Sequence, residues 1–211
     1  MNPEDFLIVS MPTPYYDVKL PSVTALETAA YHLGRKLYWN AIVGGPLILA
    51  RNMEIKSLKD FSEKNGWTRS WLWSFHLDSD VLIKEDQGLR IAQLILKAEE
   101  MGYSFTSEYS LVAQDANGVM FHSVFKNYEE NYSRKELAAA KDFELKVYYS
   151  GLGLCYLKTP LEYTFRFDNR GEDFHFFEDQ QLDLRYARID NVHYKTVPLS
   201  NDTVIKYEPQ G

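Results

Sequence analysis

The chain has one cysteine, Cys155, in 211 residues. A single thiol excludes an internal disulfide and a cysteine-built zinc cluster, and it fits a reducing compartment. Positive charge is also scarce: 23 Lys and Arg stand against 30 Asp and Glu, a formal net charge of −7. A general nucleic-acid binder carries a basic face, so nucleic acid is not an expected partner. No apolar run approaches the ~20 residues of a membrane-spanning helix. The first residues lack the basic segment and long apolar core of a signal peptide, so the expected location is cytoplasmic. Internal repeats and low-complexity tracts are missing as well.

Apolar residues make up 45 % of the chain and aromatic residues 15 %, with 15 Tyr and 12 Phe. That composition supports an ordinary hydrophobic core and leaves rings to stack on flat ligand faces. The length suits one domain over residues 1–200 with a loose polar tail over 201–211.

Residues 6–11 read as a buried strand that leaves the sheet at Pro12-Thr13-Pro14, because proline donates nothing to a ladder. A helix is expected from Ser22 or Thr24 to about Leu37, then a strand over 38–43 and a turn at Gly44-Gly45. The next helix is expected over 53–64, closed by Asn65-Gly66. A strand over 71–83 and an amphipathic helix over 86–101 follow, with Gly102 at the stop. Strand and helix alternate three times, which predicts an α/β fold with a mixed, mainly parallel central sheet flanked by helices. The second half is richer in strands. It reads as strands over 104–113 and 119–125 about a turn at 115–118, a short helix over 134–141 and extended chain over 144–149. The glycine-bearing run 150–160, a turn at 168–171, an aromatic helix from Glu172 to about Leu184 and a strand over 187–196 carrying His193 complete it.

The centre of this order is Asp78-Ser79-Asp80, at the end of the apolar stretch that begins at Trp71. In an extended chain, side chains at i and i+2 share a face, so both carboxylates would serve one site. Two hard oxygen ligands suit a divalent cation and the phosphates it carries. The chain has 14 Asp, so an Asp-x-Asp pair arises about once by chance; the apolar residues on either side carry the reading. His76 shares that face and reads as a packed neighbour. Glu172-Asp173 at a helix start also satisfy the helix dipole, Gly151 and Gly153 fit a β-bulge, and a lone His193 fits simple packing.

Taken in order, several pieces resemble the GT-A class of nucleotide-sugar-dependent glycosyltransferases. They are residues 6–14, Leu49-Ala50-Arg51-Asn52, Leu77-Asp78-Ser79-Asp80-Val81, Gly151-Leu152-Gly153-Leu154-Cys155-Tyr156, Gly171-Glu172-Asp173-Phe174-His175-Phe176 and His193. The resemblance spans about residues 5–197. It implies a GT-A, Rossmann-like sheet in a single compact domain, with a nucleotide-sugar half over 1–100 and an acceptor half over 101–200. It also implies transfer of a single sugar, with inversion, from a UDP- or GDP-sugar to a glycan or protein-linked glycan. In that scheme Pro12, Thr13, Arg51, Asp78 and Asp80 bind the donor. Asp80, Asp78 and His193 hold Mn²⁺, with Mg²⁺ second, because imidazole suits Mn²⁺ better than harder ions. Asp173 is the general base, kept ionised by its helix start. Glu172 assists and contacts the acceptor, together with Gly153 and Tyr156. The length and the lack of an anchor are similar to small glycosyltransferases encoded by phages and archaeal viruses, which would place the protein in the host cytoplasm.

Other classes compete. A sugar-phosphate nucleotidyltransferase shares the α/β plan, but it needs a Gly-rich basic loop after the first strand, and Met11-Pro12-Thr13-Pro14 is neither. A sugar-nucleotide-binding protein without turnover would use the same residues. A metal-dependent nuclease on Asp78 and Asp80 runs against the acidic balance.

Overall fold

The computed structural model describes residues 1–13, 19–108, 110–112, 120–166 and 171–193; for 110–112, 120–122 and 193 it describes the backbone alone. Strand β1 (Phe6–Thr13) leads to helix α1 (Leu20–Leu33) and strand β2 (Lys36–Val43). Helix α2 (Leu47–Lys64), β3 (Trp71–Leu77), β4 (Val81–Ile83) and α3 (Gly88–Met101) follow. Next come β5 (Ser104–Thr106), β6 (Ser110–Val112), β7 (Met120–His122), β8 (Val124–Phe125) and α4 (Arg134–Ala139). The chain continues with β9 (Lys146–Val147), β10 (Tyr149–Ser150), β11 (Leu154–Pro160), α5 (Glu172–Gln180), β12 (Leu184–Tyr186) and β13 (Asn191–His193).

Seven strands form one sheet in the order β2-β1-β3-β11-β5-β12-β9. β1 runs parallel to β2 and β3, and β5 parallel to β12. β11 is antiparallel to both β3 and β5, so those two share a direction, and β9 is antiparallel to β12. The expected mixed, mostly parallel α/β sheet in one compact domain is what forms.

The two sheet faces follow from strand alternation. On β3, Phe75 and Leu77 join Leu7, Val9, Tyr156 and the buried residues of α1 and α3 in one core. Leu72 turns to the other face, where it packs with Ile8 and with Leu58 of α2. Cys155 and Leu157 of β11 meet Phe176 and Phe177 of α5 on that same side. The chain passes outward from β1 to β2, then returns across β1 to β3. That reversal is a switch point at the carboxyl ends of β1 and β3, the place where open α/β sheets bind ligands.

Element ends differ from the sequence expectation for physical reasons. β1 does not leave the sheet at Pro12: Pro12 and Thr13 pair with Ile42 and Val43. Gly44 N–H donates to the Thr13 carbonyl (2.8 Å), so Thr13 faces β2 and alternation turns Pro12 toward β3. Pairing with β3 has stopped at Ser10, so the missing donor of Pro12 costs nothing there. α1 starts at Leu20 with Pro21 in its first turn, and the Ser22 hydroxyl accepts from Ile83 N–H (2.9 Å) instead of capping. It stops at Gly34, whose φ of 65° is left-handed, so Leu37 belongs to β2. α2 starts at Leu47 behind Pro46, not at Met53. α5 ends where Gln181 turns left-handed, leaving Leu184 for β12. The anticipated turns at 115–118 and 168–171 fall largely outside the described residues, as does the tail 201–211.

Candidate functional site

The acidic pair sits at the carboxyl end of β3, beside the switch point. It is a turn and not a strand end: Val81 N–H donates to the Asp78 carbonyl (3.0 Å) and closes Asp78-Ser79-Asp80-Val81. The i, i+2 argument therefore does not apply to these two carboxylates. Asp78 N–H donates to the Gly153 carbonyl (3.0 Å), so the turn is anchored on the segment leading into β11.

Arg51 comes up from α2 into the floor of this turn. It is 1 % exposed. Its Nη2 donates to Asp78 Oδ1 at 2.7 Å and its Nη1 to Glu54 Oε2 at 3.2 Å. Burial works against the charge, but Glu54, Asp78 and Asp173 outweigh it and hold the guanidinium protonated far above its ordinary value. Glu54 itself is pushed up to about 7, because burial outweighs the attraction of Arg51. Asn52, the next residue, pins a remote segment: its Oδ1 accepts from Phe165 N–H (2.6 Å) and its Nδ2 donates to the Phe165 carbonyl (3.3 Å).

Asp173 approaches from the other side, in the first turn of α5. Its Oδ2 accepts from Leu152 N–H at 3.2 Å. Its Oδ1 is shielded from solvent and has no hydrogen-bond partner among the described residues. Burial, then the charge of Glu172, pushes this carboxyl up to about 7; Arg51 opposes the rise and Asp78 adds to it. The helix start does not keep it fully ionised, because desolvation wins. Thus Arg51 and Asp78 from the first half of the chain and Asp173 from the second share one electrostatic cluster, with Glu54 and Glu172 at its margins.

Other expected site residues lie elsewhere. Tyr156 is not available to an acceptor: it is 1 % exposed, stacks on Trp73 at 5.0 Å, and donates its hydroxyl to Glu99 (2.5 Å). Glu99 also pairs with Arg35 (2.6 Å) on that face. Alternation along β11 sends Tyr156 to the α1–α3 side, away from the cluster. Gly153 is buried and anchors the acidic turn through its carbonyl. Pro12 and Thr13 are buried at the carboxyl end of β1. β13 pairs with β4 so that His193 stands opposite Val81, one residue after Asp80; its side chain lies outside the described residues. His76 is a packed residue: Nε2 meets Thr159 Oγ1 (2.8 Å) and Ser74 Oγ (3.1 Å). Burial, then Arg51, lowers its pKa to about 3, so it stays neutral. Cys155 is a buried thiol pushed up to about 12 by burial.

Sequence reasoning missed Glu54 and the Leu152 N–H. Arg51 and Glu54 are three apart, a recognised helical ion-pair spacing. The late helix start at Met53 concealed it. A separate groove of about 660 Å³, lined by Trp67, Trp71, Arg69 and Lys158, lies at the amino end of β3, far from the cluster. Among the described residues, no group of three His, Cys, Asp or Glu side chains is arranged to hold a metal ion. No helix among them is long and apolar enough to cross a membrane. In comparisons with protein-family models and with curated proteins, the chain has no match.

Proposed function

We propose that the protein transfers a single sugar from a UDP- or GDP-sugar to an acceptor hydroxyl, with inversion, in a GT-A type fold. The observation that carries this reading is the meeting of Arg51, Asp78 and Asp173 at the carboxyl end of β3, with the Asp173 carboxyl pushed up to about 7. Mixed α/β sheets bind ligands at such switch points. A base whose pKa matches the working pH is the most effective.

In this reading the acceptor hydroxyl gives its proton to Asp173, and its oxygen attacks the anomeric carbon from the side opposite the diphosphate. The new O–C bond forms as the bond to the phosphate oxygen breaks, and the nucleoside diphosphate leaves with the electron pair. Glu172 raises the affinity of Asp173 for that proton. Arg51 fixes Asp78 and, through it, the acidic turn.

A divalent cation, Mn²⁺ or Mg²⁺, would be held by the carboxylate oxygens of Asp80 and Asp78; His193, whose backbone pairs opposite Val81, is a third candidate. Such an ion would supply Lewis-acid stabilisation of the charge on the nucleoside diphosphate. Arg51 already holds Asp78 Oδ1, so Asp80 is the principal ligand in this scheme.

The test is the melting temperature with Mn²⁺ and UDP- or GDP-sugars, alone and together. A ligand that binds only the native state must raise it. The combination should give a rise that exceeds the two separate ones, and Asp80→Ala should lose the surplus. Identical melting curves with and without the full donor panel would remove the reading.

A further inference from the structure

A cluster of aromatic rings stands beside the start of α5. Phe125 and Tyr149 stack with centroids 4.1 Å apart and planes 11° apart. Phe174 meets Tyr149 edge-on at 5.2 Å, and Tyr128 meets Phe174 edge-on at 5.3 Å. Phe174 is buried, whereas Tyr128 is 52 % exposed. The cluster is tied to Asp173 along both elements. Phe174 is the next residue, and Tyr149 lies three residues before Leu152, whose N–H holds Asp173 Oδ2.

The loop that presents Tyr128 is hydrogen-bonded. Asn127 Oδ1 accepts from the N–H groups of Glu129 (2.9 Å) and Glu130 (3.0 Å). Lys126 N–H donates to the Glu130 carbonyl (2.8 Å). The asparagine side chain thus closes the turn and sets Tyr128 at its tip. The Tyr149 hydroxyl is pushed up to about 12 by burial and then by Tyr128, so the two phenols lie within electrostatic reach of each other.

A phenol ring that packs at right angles to one neighbour and is 52 % exposed presents apolar ring surface and a polar tip to solvent. The C–H face of a pyranose matches the ring, and its hydroxyls match the tip. Charge narrows the choice. Glu129 and Glu130 directly follow Tyr128, and Glu172 and Glu178 belong to α5. The nearby cation, Lys126, is engaged by Glu130 (2.7 Å) and Glu136 (2.9 Å). An anionic sugar would be repelled here.

We infer that Tyr128, backed by Phe174 and Tyr149, is a stacking platform for a neutral pyranose ring of the acceptor, beside the first turn of α5 that carries Asp173. The word acceptor rests on the glycosyl-transfer reading; the contact between ring and sugar does not.

Saturation-transfer-difference NMR with methyl β-glucoside, methyl β-galactoside, methyl α-mannoside and the methyl glycoside of glucuronic acid tests it. At least one neutral glycoside should receive saturation at its axial ring protons. Tyr128→Ala should reduce that signal about fivefold or more, while Tyr128→Trp and Tyr128→Phe retain it. Tyr31→Ala, an exposed tyrosine on α1, should leave it unchanged. Tyr128 is half in water, so its variants keep the fold, and matching melting curves verify that. The inference is overturned if no neutral glycoside gives a signal, if Tyr128→Ala matches the wild type, or if the uronide is bound as well as the neutral sugars. Nucleotide-sugar binding is measured in parallel on the same samples. If it fails while the Tyr128-dependent signal persists, the transfer reading falls and the platform stands as a saccharide site. The opposite pair of results removes the platform and leaves the transfer reading.

Discussion

At the scale of the residue, the site turns on how one buried cation is shared among carboxylates. Arg51 bonds Glu54 and Asp78 directly and bears on Asp173 through space. Removing it leaves Glu54 buried without its counter-charge, which typically costs about 3–5 kcal/mol. Arg51→Ala should therefore lower the free energy of urea unfolding by about that amount, and replacing Glu54 by Gln in the same chain should recover part of it. Asp173 gives a pH dependence with a definite sign. Its folded pKa, about 7, lies above its ordinary value of 3.8, so between those values the folded protein binds more protons than the unfolded one. Stability from this group is full below the lower value and falls as pH rises toward the upper one. Asp173→Asn should lack that loss and melt no lower than the wild type at pH 8. If Asp173 is the proposed base, turnover has the opposite trend, because a base must be deprotonated, and the rate should climb from pH 6 to pH 8.

Elements decide whether those residues meet. The close approach of α1 and α3 depends on Gly88: a Cβ there would lie 2.6 Å from Thr28 Cγ2 and 2.7 Å from the Ala25 carbonyl oxygen. Both neighbours belong to α1, so the helix pair would have to separate. Gly88→Ala should destabilise by about 1–3 kcal/mol. Leu89→Ala, on the exposed side of α3, should stay within about 0.5 kcal/mol in the same denaturation series. The elements that could be read from sequence were those with local signals. α3 has an apolar stripe and a left-handed Gly102 at its end, and it starts within two residues of its expected place. α2 starts six residues before the expected Met53, because Pro46 in extended backbone opens the helix directly at Leu47. β12 and β13 are three residues each, too short for any periodicity to show. Their positions come from pairing with β5 and β4, which is non-local.

For the whole molecule, topology does what no single motif could. The order β2-β1-β3 creates the switch point, and β11 then runs back between β3 and β5. The start of β11 thereby brings Gly153 to Asp78 and Leu152 to Asp173. From sequence, Asp78, Asp80, Arg51 and Asp173 were recognisable as candidates by residue type and order. That Arg51 is buried between Glu54 and Asp78, and that Tyr156 faces the opposite core, depended on helix start and strand phase. A one-residue change of phase reverses a strand's faces, so such facts emerge only from the assembled sheet. The central claim is the proposed one, that the cluster at the carboxyl end of β3 carries out sugar transfer with Asp173 as base. Release of nucleoside diphosphate from UDP- and GDP-sugars with Mn²⁺, compared between the wild type and Asp173→Asn, tests it most directly. The account predicts that the wild type releases UDP or GDP at a rate that rises with pH through about 7, and that Asp173→Asn binds the donor equally well yet turns it over at least about a hundredfold more slowly. Equal rates in the two proteins, or no release from any donor, would contradict it.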